Sequence, residues 1–116
     1  MAASRFTGAY ARVRKQFNIP IGKFEGVEEA LARIGGLTYL MDSGRRVTCA
    51  ALDQGERPSV ASGILKYFNT HNMRSVLNDA MDVHGGKGIC MGPSNYLARA
   101  YPVSYTHLTL PTILLV

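Results

Sequence analysis

Apolar residues recur at helical spacing along most of the chain. Phe6, Ala9, Tyr10 and Val13 form a short stripe, with Arg5, Arg12, Arg14 and Lys15 on the other faces, which predicts a helix from Ser4 to Gln16. Its cations gather toward the C-terminal end, where unpaired carbonyls are partly negative. Asn18-Ile19-Pro20-Ile21-Gly22 breaks it, because proline disfavours helical geometry in the residue before it and glycine supplies a turn. Val27, Leu31, Ile34, Leu37 and Met41 then make the apolar stripe of one long helix from Glu25 to about Asp53, with Glu25, Glu28 and Glu29 loading its first turns. Gly35-Gly36 weakens that helix by roughly 1 kcal/mol per glycine, which is acceptable where another helix packs closely. Asp53-Gln54-Gly55-Glu56 is a turn. The next helix starts at Pro58, buries Val60, Ile64, Tyr67 or Phe68, Leu77, Ala80 and Met81, and runs to about Val83, where His84-Gly85-Gly86 stops it. A last helix covers Pro93 to Tyr101, with Tyr96 and Leu97 inward and Arg99 outward. No repeat and no strand period precedes the C-terminal tail. The expectation is an all-α, antiparallel (up-down) helical bundle.

Length and composition narrow this picture. The 116 residues suffice for one small domain, and 47% hydrophobic content supports a core. Thirteen basic against eight acidic residues leave a net charge of +5, mildly favouring anionic ligands. The cations are scattered, which argues against a nucleic-acid binder. Cys49 and Cys90 lie far apart without a CxxC pattern, so neither a disulfide framework nor a zinc site is supported; they are expected to pack as small apolar groups in a reducing cytoplasm. No apolar run is long enough to span a membrane.

Two stretches stand out chemically. "HGGKGICMG" (His84 to Gly92) fits neither a Walker A loop nor a dinucleotide fingerprint. It reads either as a helix-terminating loop or as a backbone that a ligand approaches closely, since glycine serves both. "RVRKQFNIPIGKFEGV" (Arg12 to Val27) reads either as a basic helix end or as an anion site in which Arg14 meets a phosphate and Phe17 covers a flat ring. His71, His84 and His107 lack ligand spacing and read as structural, and Ser59 and Ser62 have no nearby base.

In this order and at this distance, "RKQFNIPIG" (Arg14 to Gly22) and "HGGKG" (His84 to Gly88) resemble the acyl-CoA dehydrogenases, over about Ser4 to Tyr101. The C-terminal domain of that family is a helical bundle. One helix ends in an R-x-x-F-G/N-x-P-I turn, two helices follow, and a GG-x-G loop closes the second. "NIPIGKFEGV" and "ILKYFNTHNMR" are most similar to bacterial members that act on long-chain fatty acyl-CoA in β-oxidation.

The resemblance implies a flavoenzyme that oxidises a saturated acyl-CoA to the trans-2-enoyl-CoA, with FAD taking a hydride from Cβ while a base removes the Cα proton. It matches Arg14, Gln16 and Phe17 to residues that contact FAD across a subunit interface, and Gly85 and Gly86 to a backbone beside the cofactor's adenosine half. It places Tyr10 to Val13 near the CoA side of the substrate site, so that Tyr10 and Val13 are substrate-binding candidates. The implied partners are the acyl-CoA substrate, further copies in a dimer or tetramer that share the FAD site, and an electron-transfer acceptor. The implied location is the cytoplasm or the periphery of the inner membrane, with no transmembrane segment and no nucleic acid.

Asp82 stands where many members carry glutamine, three residues before the glycine pair, and Glu25 stands where a glutamine often begins the second helix. The family's catalytic base is a glutamate in a [Y/V]-E-G motif beyond the segment ending "LARAY", and the single Glu-Gly pair here is Glu25-Gly26. Residues 102–116, "PVSYTHLTLPTILLV", carry no Lys, Arg, Asp or Glu and resemble translated sequencing-adapter read-through. The domain organisation expected is therefore a partial C-terminal helical domain over 1–101 followed by a non-native apolar tail over 102–116. As a fragment, the chain is expected to be inactive and to bind no FAD. The competing class is a stand-alone helical interaction module.

Overall fold

The computed structural model describes residues 1–93 and 95–103. Helix α1 spans Ala2–Val13, followed by two short paired segments, β1 (Lys15–Gln16) and β2 (Ile19–Pro20), and a 3-10 turn at Ile21–Lys23. Helix α2 spans Glu25–Asp53, α3 spans Ser59–His84, α4 is a single turn at Gly86–Ile89, and residues 97–103 form a further helix, α5. The architecture is the expected all-α one, with α2 and α3 as its antiparallel centre. The expectation of a non-native tail falls, from residue 104 onward, outside the described residues.

Local signals set the element ends. Gly55 adopts φ 84° beyond α2, and the Gly55 and Glu56 N–H groups donate back to the carbonyls of Leu52 and Ala51. This pair of bonds satisfies carbonyls that a helix end leaves open. Glu25 and Glu28 occupy the first turn of α2, as its dipole favours.

The core sits at one end of the α2–α3 pair. Ile34 from α2, Val76, Leu77 and Ala80 from α3, and Leu97 from α5 form its buried centre. Arg33 of α2 spans to α3, donating from Nε and Nη2 to the two carboxylate oxygens of Asp79 at 3.1 and 3.0 Å. The other end of the pair is a bare two-helix arm, where Val47, Val60, Ile64 and Tyr67 are all exposed.

Four expectations are corrected here. The burial stripe of α1 is Thr7 and Ala11, while Phe6, Ala9 and Val13 are exposed, because α1 packs on its neighbours through its small side chains. In α3, Val60, Ile64, Tyr67 and Phe68 are exposed, since neither α1 nor α5 reaches that half. Among the described residues, nothing outside the local helix backbone lies within 4 Å of a Cβ built at Gly35 or Gly36; close helix approach occurs at Gly44, where a Cβ would stand 2.6 Å from Leu65 Cδ1. Residues 14–16 leave the helix to form the hairpin, which period counting does not detect in segments two residues long.

Candidate functional site

The hairpin displays the first group of candidate residues. Arg14 caps α1 in an extended conformation, its N–H donating to the Tyr10 carbonyl at 2.8 Å and its carbonyl accepting from Ile21 N–H at 2.8 Å. Lys15 pairs with Pro20 and Gln16 with Ile19, leaving Phe17 and Asn18 as a two-residue loop. Their φ values are 51° and 63°, the left-handed pair that suits the twist of a tight hairpin. Asparagine tolerates that region, but a bulky residue there costs about 1–2 kcal/mol. Phe17 is nevertheless 85% exposed, so packing within the chain does not offset the strain. The side chains of Arg14, Gln16 and Phe17 have no hydrogen-bond, ionic or ring partner among the described residues.

The glycine turn displays the second group. Gly85 ends α3 with φ 61° and ψ −147°, a conformation that side chains disfavour, and its N–H donates to the carbonyls of Met81 and Asp82. Gly88 is buried, and a Cβ there would lie 3.3 Å from the Met81 carbonyl oxygen. Gly86 has neither reason: it is exposed, its φ lies outside the left-handed region, and an added Cβ would meet nothing within 4 Å. Asn95 braces the turn from the other side. Its amide nitrogen donates to the carbonyls of Lys87, Gly88 and Cys90 at 3.1, 3.0 and 2.6 Å. Its amide oxygen accepts from the N–H groups of Leu97 and Ala98 at 3.0 and 3.2 Å, capping α5.

The two groups are joined through rings. Tyr10 stacks on His84 with centroids 4.2 Å apart, and the Lys87 ammonium lies 5.8 Å from the Tyr10 ring centre, within cation–π range. His84 Nδ1–H donates to the Ala80 carbonyl at 2.7 Å, which leaves Nε2 to accept from the Tyr96 hydroxyl at 3.0 Å. Burial pushes the Tyr96 phenol above its ordinary pKa. Phe6 adds a ring 4.7 Å from Tyr96. Phe6, Tyr10, His84, Lys87, Asn95 and Tyr96 thereby line an open cavity of about 410 Å³.

Of the sequence-predicted site residues, Tyr10 is brought directly against the glycine turn. Val13 points to solvent, 79% exposed, and Arg14, Gln16 and Phe17 extend beyond it on the hairpin. Asp82 and Gly85 border a second open cavity of about 500 Å³. Sequence reasoning missed the roles of Phe6 and Asn95. The aromatic pair Phe6 and Tyr10 at i, i+4 was a readable signal for one ligand-facing stripe. Cys49 and Cys90, expected to pack, are both exposed and in no disulfide: Cys49 lies on an uncovered face of α2, and Cys90 lies just past the end of α4. Among the described residues no group of three His, Cys, Asp or Glu side chains could hold a metal, and no helix is long and apolar enough to cross a membrane.

Comparison with known proteins bears on this geometry. The family model described as "Acyl-CoA dehydrogenase, C-terminal domain" matches residues 1–110. The chain is 38% identical over 81 residues to a 3-(aryl)acrylate reductase of Clostridium sporogenes, a match covering 68% of this chain and 21% of that protein. It is 31% identical over 91 residues to the acyl-CoA dehydrogenase IpdE2 of Mycolicibacterium smegmatis, covering 76% of this chain and 28% of that protein. The chain thus spans well under a third of the length of these curated relatives.

Proposed function

The chain belongs to the acyl-CoA dehydrogenase family, and from that premise we propose that it is part of the C-terminal helical domain of a FAD-dependent enzyme oxidising saturated acyl-CoA to trans-2-enoyl-CoA. Membership of the family supports a flavin-linked dehydrogenase role. The finer reading, a long-chain fatty acyl-CoA substrate in β-oxidation, rests on the segments 18–27 and 64–74.

The observation that carries the cofactor assignment is Phe17, held in a strained conformation and presented to solvent beside an Arg14 that has no partner among the described residues. Strain kept without internal compensation clusters at sites that meet a partner. Gly86 points the same way, as a glycine for which the chain itself has no packing need.

The residues present fit a dinucleotide. Arg14 would hold the diphosphate, since a guanidinium offers paired donors to phosphate oxygens. Gln16 would add a polar contact, Phe17 would cover a flat ring, and Gly85 and Gly86 would let the backbone approach without a side chain between. Tyr10 and Val13 would lie toward the CoA side of the substrate. Bound FAD would supply the hydride acceptor. The contribution of these residues is to bind and orient it, while the base for the Cα proton is assigned to no residue described. Because these groups form an exposed rim rather than an enclosure, the chain alone is read as inactive and FAD-free. The uncovered face at Val60, Ile64 and Tyr67 supports assembly with another protein surface, read here as a dimer or tetramer; a FAD site shared between subunits is what the family resemblance implies. A separate electron acceptor would reoxidise the flavin.

Flavin titration of the isolated chain and of the full-length protein tests this. Expected are no binding by the chain, one FAD per full-length chain, and bleaching of the flavin band by a long-chain acyl-CoA. Full-length protein without flavin affinity overturns the reading. Faster reoxidation of reduced flavin by an aryl acrylate than by an enoyl-CoA would move the substrate class toward that in one relative's name.

A further inference from the structure

We infer that Asn95 is a positioning residue for the ligand-facing backbone at Gly85–Gly86; this rests on the reading of that turn as a cofactor contact. A single helical turn such as α4 does not hold its own shape in water, because nucleation fixes several dihedrals for one hydrogen bond. Bonds from Gly88 N–H to the Gly85 carbonyl and from Cys90 N–H to the Gly86 carbonyl close it at its two ends. The carbonyls that follow have no further turn to bond to. Asn95 serves three of them, at Lys87, Gly88 and Cys90, with the two hydrogens of one amide nitrogen, one hydrogen being shared between two carbonyls. These three bonds reach the turn from beyond its own span and come from a single residue.

The same amide ties that turn to the core. Its oxygen accepts from Leu97 and Ala98 N–H, and Leu97 is 1% exposed, packed with Ile34, Leu77 and Ala80. The turn therefore takes its position from the core through one side chain. The five partners also set the amide's orientation, since exchanging nitrogen and oxygen would set carbonyl against carbonyl and N–H against N–H. Asparagine alone among short side chains does both jobs. Aspartate or serine accepts from the α5 N–H groups equally well. An ionised aspartate has no donor, however, and a serine hydroxyl has only one.

The chemistry separates a cap from a clasp, and the test follows it in the full-length protein. Asn95→Asp and Asn95→Ser keep the α5 cap and lose the clasp. The expected result is wild-type far-UV circular dichroism and cooperative melting, with a Kd for FAD raised at least tenfold and kcat at saturating FAD within about twofold. Folded variants whose Kd for FAD stays within twofold of wild type overturn the role of Asn95. Should Asn95→Asp fail to fold, Asn95→Ser decides alone. Arg14→Ala is the control. If wild type binds FAD and Arg14→Ala weakens it while the Asn95 variants do not, this inference fails and the cofactor reading stands. If wild type binds no FAD, the cofactor reading itself fails and this inference with it.

Discussion

Tyr10 of α1 lies flat against His84, the last residue of α3, with ring centroids 4.2 Å apart and planes 17° from parallel. This contact joins the helix that ends in the Arg14–Phe17 hairpin to the helix that ends in the glycine turn. A stacked pair contributes about 0.5–1.5 kcal/mol beyond the area it buries. A double-mutant cycle with Tyr10→Ala and His84→Ala, read by chemical denaturation, should therefore return a coupling of about 1 kcal/mol. A coupling near zero would mean that the two rings are neighbours without energetic consequence.

Phe17 should trade stability against binding. Phe17→Gly relieves a left-handed residue, and the isolated chain should gain about 1 kcal/mol in urea denaturation. The same substitution in the full-length protein should weaken FAD binding. A variant that is less stable, or that binds flavin as well as wild type, would show that the displayed ring has another reason.

The three glycines of the turn should respond differently to alanine. Gly85→Ala should destabilise by roughly 1–2 kcal/mol, because φ 61° is unfavourable for a side chain. Gly88→Ala should also destabilise, since the Met81 carbonyl leaves little room. Gly86→Ala should fold as well as wild type or up to about 1 kcal/mol better, by limiting the unfolded chain. Thermal melts of the three variants check the order, and a Gly86→Ala that unfolds would remove the case for an open approach there.

Two titrating groups give opposite pH dependences. Hydrogen bonds from Arg45, and then from Arg46, hold the Asp42 carboxyl below its ordinary value of 3.8. Its folded pKa is thus below its unfolded one, so its contribution is present above pH 3.8 and lost as pH falls through the lowered value. Burial raises the Tyr96 phenol above 10.0, so the folded state keeps a proton that the unfolded state releases, and stability falls as pH rises past 10. Asp42→Asn should flatten the acid limb of a stability–pH curve and Tyr96→Phe the alkaline limb. Unchanged limbs would contradict these assignments.

Much of the site was legible along the chain because its signals are local. The break at Pro20–Gly22, the start of α2 at Glu25, the Gly55 turn and the stop at Gly85 each follow from capping, proline or glycine chemistry within a few residues, whereas the end of α1 was placed three residues late, at Gln16. The two motifs at 14–22 and 84–88 are local in the same sense. Asn95 was not legible, because its acceptors lie five to eight residues back and become acceptors only once α4 has formed.

The sequence by itself determined an all-α chain, the extents of its two long helices and the residue types offered to a ligand. Backbone propensity and helical period act over a few residues and need no knowledge of neighbours. Which face of each helix is buried was decided only by the tertiary structure. Phe6 and Val13 look as apolar as Leu77, yet they stay uncovered because α1 meets α2 and α3 through Thr7 and Ala11. Ile64 and Tyr67 stay uncovered because neither α1 nor α5 reaches the far half of α3. Burial depends on which surfaces arrive from distant parts of the chain, and a hydrophobic stripe records only that some surface is meant to arrive.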